Sequence, residues 1–150
     1  LLAKIDNNQF ADCVQVDLAR VCREQVALCG ELFEGRGLHA GVRLPERFTV
    51  LMNETLAEVL VSNLVRNAYI HSACGAFIDV YTAGTTLVVE NDGERRLDGD
   101  RIFERFYQGS KREGSTGLGL ALVRAVCNCY GLRAEYDFRD GRHRFRIVRP

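Results

Sequence analysis

The sequence predicts an α+β fold, a two-layer α/β sandwich with about three helices on one face of a mixed, mostly antiparallel sheet. Three observations predict it. Apolar residues recur at helical spacing in three separated stretches. Short runs between them alternate or are wholly apolar, and glycine, proline or Asn-Asp clusters bound them. The order along the chain is helix, strands, helix, strands, helix, strands. A length of 150 residues suits a single core.

Residues 1–14 read as a tail or linker, with a short apolar start and then polar Asp6-Asn7-Asn8-Gln9. A helix is predicted from Asp17 to Phe33, where Leu18, Val21, Cys22, Val26 and Cys29 keep helical spacing; Gly35 and Gly37 stop it. Residues 38–44 and 48–52 read as two short strands joined by a turn at Pro45. Asn53 caps a helix from Glu54 to about His71. Ala76–Tyr81 and Thr86–Val89 form a hairpin punctuated by Gly84, and Asn91-Asp92-Gly93 ends its second strand. A short helix is predicted near 99–106, carrying Ile102, Phe103 and Phe106. A polar, glycine-bearing stretch over 108–116 precedes a helix from Gly117 to Tyr130, which Gly131 ends. Strands 132–138 and 143–148 flank the turn Arg139-Asp140-Gly141.

Apolar residues make up 47% of the chain and charged residues 27%, the balance of a globular protein. Twenty Lys and Arg offset 20 Asp and Glu, so no basic field attracts nucleic acid. No apolar run reaches the roughly 18 residues of a membrane span. The first residues lack the zones of a signal peptide, and the start without Met reads as a fragment. The six cysteines are scattered, apart from Cys127-x-Cys129 within an apolar run. That spacing suits reduced, mostly buried thiols in a cytoplasmic protein better than zinc or disulfides.

The helix 54–71 holds two polar residues where apolar ones are expected. At 100° per residue, Leu56, Ala57, Leu60, Val61, Leu64 and Ala68 share one side. Glu58, Ser62, Arg66 and Tyr69 share the other. Asn63 and Asn67, four apart, fall in the apolar half with their amides pointing the same way, and His71 continues the line. A buried amide without partners costs about 1–3 kcal/mol. The pair therefore either bonds to backbone or water, or faces a ligand pocket in which amide oxygens ligate Mg²⁺.

Gly117-Leu118-Gly119-Leu120 opens a helix after Ser115-Thr116, and free N–H groups there can attract phosphate. Two phosphate-binding motifs fail on the letters. Gly109 to Thr116 has serine where a P-loop needs lysine, and Leu122 stands where a dinucleotide fingerprint needs its third glycine. Asn91-Asp92-Gly93 is either a plain turn or a strand end whose carboxamide accepts from a nucleobase amine.

Taken in order, these segments resemble the catalytic domain of sensor histidine kinases, in the GHKL superfamily with its Bergerat fold. Leu56 to Ala68 is similar to the N box, Val89 to Gly93 to the G1 box, Ile102 to Tyr107 to the F box, and Gly114 to Val123 to the G2 box. Val16-Asp17-Leu18 resembles the entry to the domain, so the resemblance covers residues 15–150. Residues 1–14 would then be a linker or the end of a preceding dimerisation helix.

The resemblance implies ATP and Mg²⁺ as ligands. Asn67 matches the Mg²⁺-ligating asparagine, and Asn63 the neighbouring position on the phosphate side; both are candidate catalytic and metal-site residues. His71 matches a position that packs on adenine, and Asn91 the one that bonds its amine. Arg66, Gly93, Thr116, Gly117, Leu118, Gly119 and Leu120 match further nucleotide-binding positions. Residues 108–116 match the lid, whose Lys111 and Arg112 lie where cations reach the γ-phosphate.

Hydrolytic relatives carry glutamate where this chain has Asn63, and glutamate can act as general base. An asparagine cannot, while a neutral imidazole acceptor is already nucleophilic. Position 63 thus favours transfer to histidine over hydrolysis. No acceptor motif is present, since His39, His71 and His143 are each followed by a non-acidic residue. The implied partners are the chain's own dimerisation and phosphoacceptor domain, a response regulator, and a second copy in a full-length homodimer. The implied setting is the cytoplasmic part of a membrane-anchored sensor. Three positions depart from the family pattern: Ile70 lacks a cation, Asn91 replaces aspartate, and Arg95 replaces a glycine. They motivate the alternative of a non-catalytic module that binds nucleotide or a partner.

Overall fold

The computed structural model describes residues 1–6, 9–107 and 117–150. It has the expected two layers. A five-stranded sheet runs in the order β2 (His39–Arg43), β4 (Phe77–Ala83), β5 (Thr86–Asp92), β7 (Arg142–Val148), β6 (Arg133–Arg139). Only the β2–β4 pair is parallel. Helices α2 (Leu18–Leu32), α3 (Glu54–His71) and α4 (Gly119–Cys129) form the second layer, with α3 packed between the other two. No helix among the described residues is long and apolar enough to cross a membrane.

Side-chain alternation along the strands builds the interface between the layers. The register aligns Val80, Val89, Phe145 and Tyr136 in one row across four strands, and all four are buried. The next inward-facing row is Ile78, Asn91, His143 and Phe138. The helices meet these rows with Leu56, Leu60, Leu64 and Val123, each at most 1% exposed. Burying one such leucine contributes about 2 kcal/mol.

Helix ends follow their sequences. Asp17 caps α2 by accepting from Ala19 N at 3.0 Å, and also accepts from Phe48 N at 2.9 Å. Asn53 caps α3 by accepting from Leu56 N at 3.1 Å. At the other end of α3, the Arg36 guanidinium donates to the carbonyls of Tyr69 and Ile70, placing a cation on the negative end of the helix dipole.

Five expectations need correcting. Residues 38–44 and 48–52 do form the two expected strands, but they enter different sheets: β2 joins the large sheet, while β3 (Thr49–Met52) pairs with β1 (Val14–Asp17) in a separate two-stranded sheet. Residues 99–106 form turns rather than a helix. Asp98 accepts from Asp100 N through its side chain, and an Asx turn of this kind competes with helical pairing. Helix α4 begins at Gly119, because Gly117 has φ +75° and cannot be helical. Tyr69 is not on an exposed face; it is 3% exposed and stacks on Phe33 at 5.9 Å. The cysteines are free, but only Cys22, Cys29 and Cys127 are buried. The N-terminal stretch also carries structure: Leu2–Asp6 forms helix α1, whose Ile5 is buried against α4.

Candidate functional site

The site lies where α3, the start of α4 and the ends of β5 and β7 converge. Asn63 anchors it. Its Nδ2 donates to Val59 O at 2.7 Å, one turn back, which leaves Oδ1 as the outward-facing acceptor. That oxygen touches the first residue of α4: a Cβ at Gly119 would lie 3.1 Å from it. Glycine at 119 therefore lets the helix start approach the amide. Asn67 is half-buried one turn further on, and its amide makes no hydrogen bond among the described residues. His71 follows, half-buried, as the last residue of α3.

Asn91 is 2% exposed and, with Ser72, one of two buried polar residues among those described. Its Nδ2 donates weakly to Asp92 O at 3.3 Å, and its Oδ1 accepts nothing among the described residues. Gly93 follows, held by donation from its N–H to Gly141 O at 2.9 Å. A Cβ there would lie 2.1 Å from His143 Nε2, so glycine is what admits the imidazole.

The root of the segment 107–116 is pinned. Phe106 N donates to Gly117 O at 2.6 Å, and a Cβ on Gly117 would come within 2.6 Å of the Phe106 Cα. Phe103 and Ile102 are buried beneath, with Phe103 edge-on to Phe145 at 6.3 Å. Phe106 itself is 68% exposed.

The structure sets Asn63 against Gly119 and Asn91 beside His143 and Gly93, on elements that pack together through α3. Leu118 is the N-cap residue of α4, and Leu120 lies partly buried against the core. Arg66 is exposed and, with Asn63, Gln25, Leu28 and Glu58, lines a groove of about 560 Å³ between α2 and α3. Arg95 is exposed, and Ile70 is buried in the core. Lys111, Arg112, Thr116 and the rest of 108–116 lie outside the described residues. Sequence reasoning missed Tyr136 and His143. The signal was there, since alternation over 142–148 puts His143 on the same face as Phe145 and Ile147. Burial holds the His143 pKa below its usual value and raises that of Tyr136.

Asparagine oxygens are hard, neutral ligands of the kind Mg²⁺ takes alongside phosphate and water. A glycine-lined helix start suits phosphate, and the buried Asn91 amide suits a nucleobase edge. Residues 52–149 match the model of the histidine kinase-, DNA gyrase B- and HSP90-like ATPases. The chain belongs to that family. Among curated relatives, the heme sensor protein HssS of Staphylococcus saprophyticus is 36% identical over 139 residues, spanning 84% of this chain and 29% of that protein. The chain thus spans under a third of the length of this relative. Among solved structures, the mycobacterial sensor histidine kinase MprB superposes with a TM-score of 0.80 at 21% identity, covering 93% of this chain and 97% of that one. The histidine kinase ThkA, in complex with the response regulator protein TrrA, superposes with a TM-score of 0.74 at 20% identity, covering 92% and 41%. These superpositions bear out the two-layer fold.

Proposed function

We propose that this chain is the ATP-binding catalytic part of a sensor histidine kinase, transferring the γ-phosphate of ATP to a histidine on a separate dimerisation domain. One observation carries the reading: the Asn67 amide has no hydrogen-bond partner among the described residues, one turn from an Asn63 oxygen that faces the Gly119 helix start. In this reading Asn67 and Asn63 hold Mg²⁺, which when bound offsets phosphate charge. The N–H groups of Gly119 and Leu120 receive phosphate oxygens, and Gly117 lets the backbone turn towards them. Asn91 accepts from the adenine amine, and His71 packs on the ring. Lys111, Arg112 and Thr116 reach the phosphates from the segment 108–116, and Arg66 adds a cation beside Asn63. Asn63 cannot remove a proton from water, so the site orients ATP without activating its hydrolysis.

The natural setting is the cytoplasmic side of a sensor that works as a homodimer and passes phosphate to a response regulator. The support is the family match and the kinase identity of the relatives; the ThkA–TrrA complex supplies the example of a regulator partner.

The test is a titration with a fluorescent ATP analogue and Mg²⁺, run on the wild type and on Asn67→Ala. Micromolar to sub-millimolar binding that weakens about ten-fold in the variant is the expected result. Adding a dimerisation domain with its acceptor histidine should give acid-labile phosphate on that domain and little on this chain. No binding at millimolar nucleotide would overturn the kinase reading in favour of a non-catalytic module. Steady phosphate release without an acceptor would replace it with an ATPase.

A further inference from the structure

The second inward-facing row of the sheet places two polar groups side by side. Asn91 and His143 are directly opposed in the β5–β7 register, so their side chains leave the sheet on the same face. The row before theirs, Val80, Val89, Phe145 and Tyr136, is closed core. One pleat further along, a carboxamide and an imidazole replace apolar side chains. Two such groups under a helix layer need partners.

The hydrogen bonds around His143 define which of its nitrogens is the donor. Leu97 N–H donates to Tyr136 Oη at 2.9 Å. The phenol proton is then free to go to His143 Nδ1, 2.8 Å away, and no other acceptor for it is found among the described residues. Nδ1 is therefore the acceptor, and the ring proton sits on Nε2. Nε2 points to Gly93, where only the absence of a Cβ leaves it room, and it makes no hydrogen bond among the described residues. Tyr136 stacks beside the ring at 5.9 Å and Phe138 lies 4.9 Å away, so the ring is fixed in this orientation. The neighbouring Asn91 offers the opposite polarity, because its Nδ2 is turned to Asp92 O and its Oδ1 is left as an acceptor.

A fixed N–H donor beside a carbonyl acceptor, at the end of a strand pair, matches one purine edge. Adenine presents an amino donor at position 6 next to a ring-nitrogen acceptor at position 1. Guanine reverses both roles. We propose that His143 is a base-reading residue of the nucleotide site: its Nε2–H donates to N1 of adenine while Asn91 Oδ1 accepts from the 6-amino group. Tyr136 is a positioning residue, which selects the His143 tautomer and ties it to the turn at Leu97. This rests on the nucleotide reading above and adds the residue that reads the second position of the adenine edge.

The experiment compares ATP, 1-deaza-ATP (C–H in place of N1) and GTP as competitors of a fluorescent ATP analogue. It uses the wild type, His143→Phe and His143→Gln. The wild type should bind 1-deaza-ATP about ten-fold more weakly than ATP, the worth of one hydrogen bond to a fixed partner. GTP should be weaker still, with both roles mismatched. His143→Phe should bind ATP about ten-fold more weakly and no longer distinguish it from 1-deaza-ATP, whereas His143→Gln, which keeps an N–H, should restore part of the difference. A wild type that binds ATP and 1-deaza-ATP equally overturns the inference, and that arm needs no variant to fold. So does a His143→Phe protein that binds ATP as tightly as the wild type or more tightly, which would make the imidazole mere filling. A wild type that binds no nucleotide at all overturns the nucleotide reading itself and takes this inference with it.

Discussion

The two faces of strand β5 are one pleat apart and handle polar groups in opposite ways. Towards the helices, Leu87 and Val89 are buried, and the polar residues Asn91 and, across the strand pair, His143 keep an acceptor and a donor uncommitted. On the outer face, the central charges are paired. Asp79 and Glu90 stand directly opposite each other, a like-charge pair that alone would destabilise the sheet. Arg142 resolves it, reaching Asp79 at 2.7 Å, Glu90 at 2.6 Å and Asp92 at 2.5 Å. Beside it Arg144 forks onto Asp137 with two bonds of 2.7 Å, and Tyr81 donates to Glu90. Bidentate pairs of this kind hold geometry. One face thus pairs its central charges internally, and the other leaves polar groups uncommitted among the described residues. Stability and ligand affinity should therefore separate by face.

Arg142→Ala gives the largest expected effect. It leaves three carboxylates facing one another at half-exposed positions and should cost about 2–3 kcal/mol in chemical denaturation. Nucleotide affinity should stay within about two-fold, and a loss matching that of Asn67→Ala would show that the faces are not independent. Asn67→Ala should do the reverse, raising the Kd for Mg²⁺-ATP about ten-fold, or about 1.4 kcal/mol, while Tm barely moves. A smaller effect follows from Asp137. Its hydrogen bonds to Arg144 hold the carboxyl below the usual carboxylate range. The folded state thus binds its proton less readily than the unfolded chain, and the pair stabilises the fold above the ordinary aspartate pKa. That contribution fades as pH falls through the lowered value. Asp137→Asn should cost about 1 kcal/mol at neutral pH and progressively less as pH falls through the lowered value, as read from denaturation midpoints against pH.

His143 supplies the smallest effect, on the other face. Burial lowers its pKa, so the unfolded chain takes up the proton first as pH drops below about 6.5. Stability is full above that pH and declines as pH falls through the lowered folded value. His143→Phe should flatten this part of the stability profile by a few tenths of a kcal/mol. An unchanged slope between pH 7 and 5 would mean that the ring is less enclosed than its neighbours imply.

Much of this was legible in the sequence, for local reasons. The caps Asp17 and Asn53, the turn at Asp140-Gly141 with both φ positive, and the two helix-period runs are each set by residues close together in the chain. The amides of Asn63 and Asn67 were likewise readable, because 100° per residue places them on one side of α3. What escaped depends on residues far apart. Strands β2 and β3 are neighbours in sequence but pair with β4 and β1, a choice made by sheet assembly and not by the Pro45 turn. The helical period groups Tyr69 with Glu58, Ser62 and Arg66, away from the leucines, and its burial depends on Phe33, 36 residues away at the end of another helix. The pairing of His143 with Asn91 spans 52 residues and appears only when β7 is set in register beside β5.

The pin between Phe106 and Gly117 has a consequence for how this chain can change over evolutionary time. The two ends of the segment 107–116 are joined by a backbone hydrogen bond and by close contact that admits only glycine at 117. Whatever lies between them begins and ends at the same place. Closing a longer loop across fixed ends costs only about 0.6 kcal/mol for each doubling of its length. Insertions, deletions and changes of charge between these two residues can therefore accumulate without moving Gly119 away from Asn63, so descendants of this gene could diversify that stretch while keeping the same amide and the same helix start.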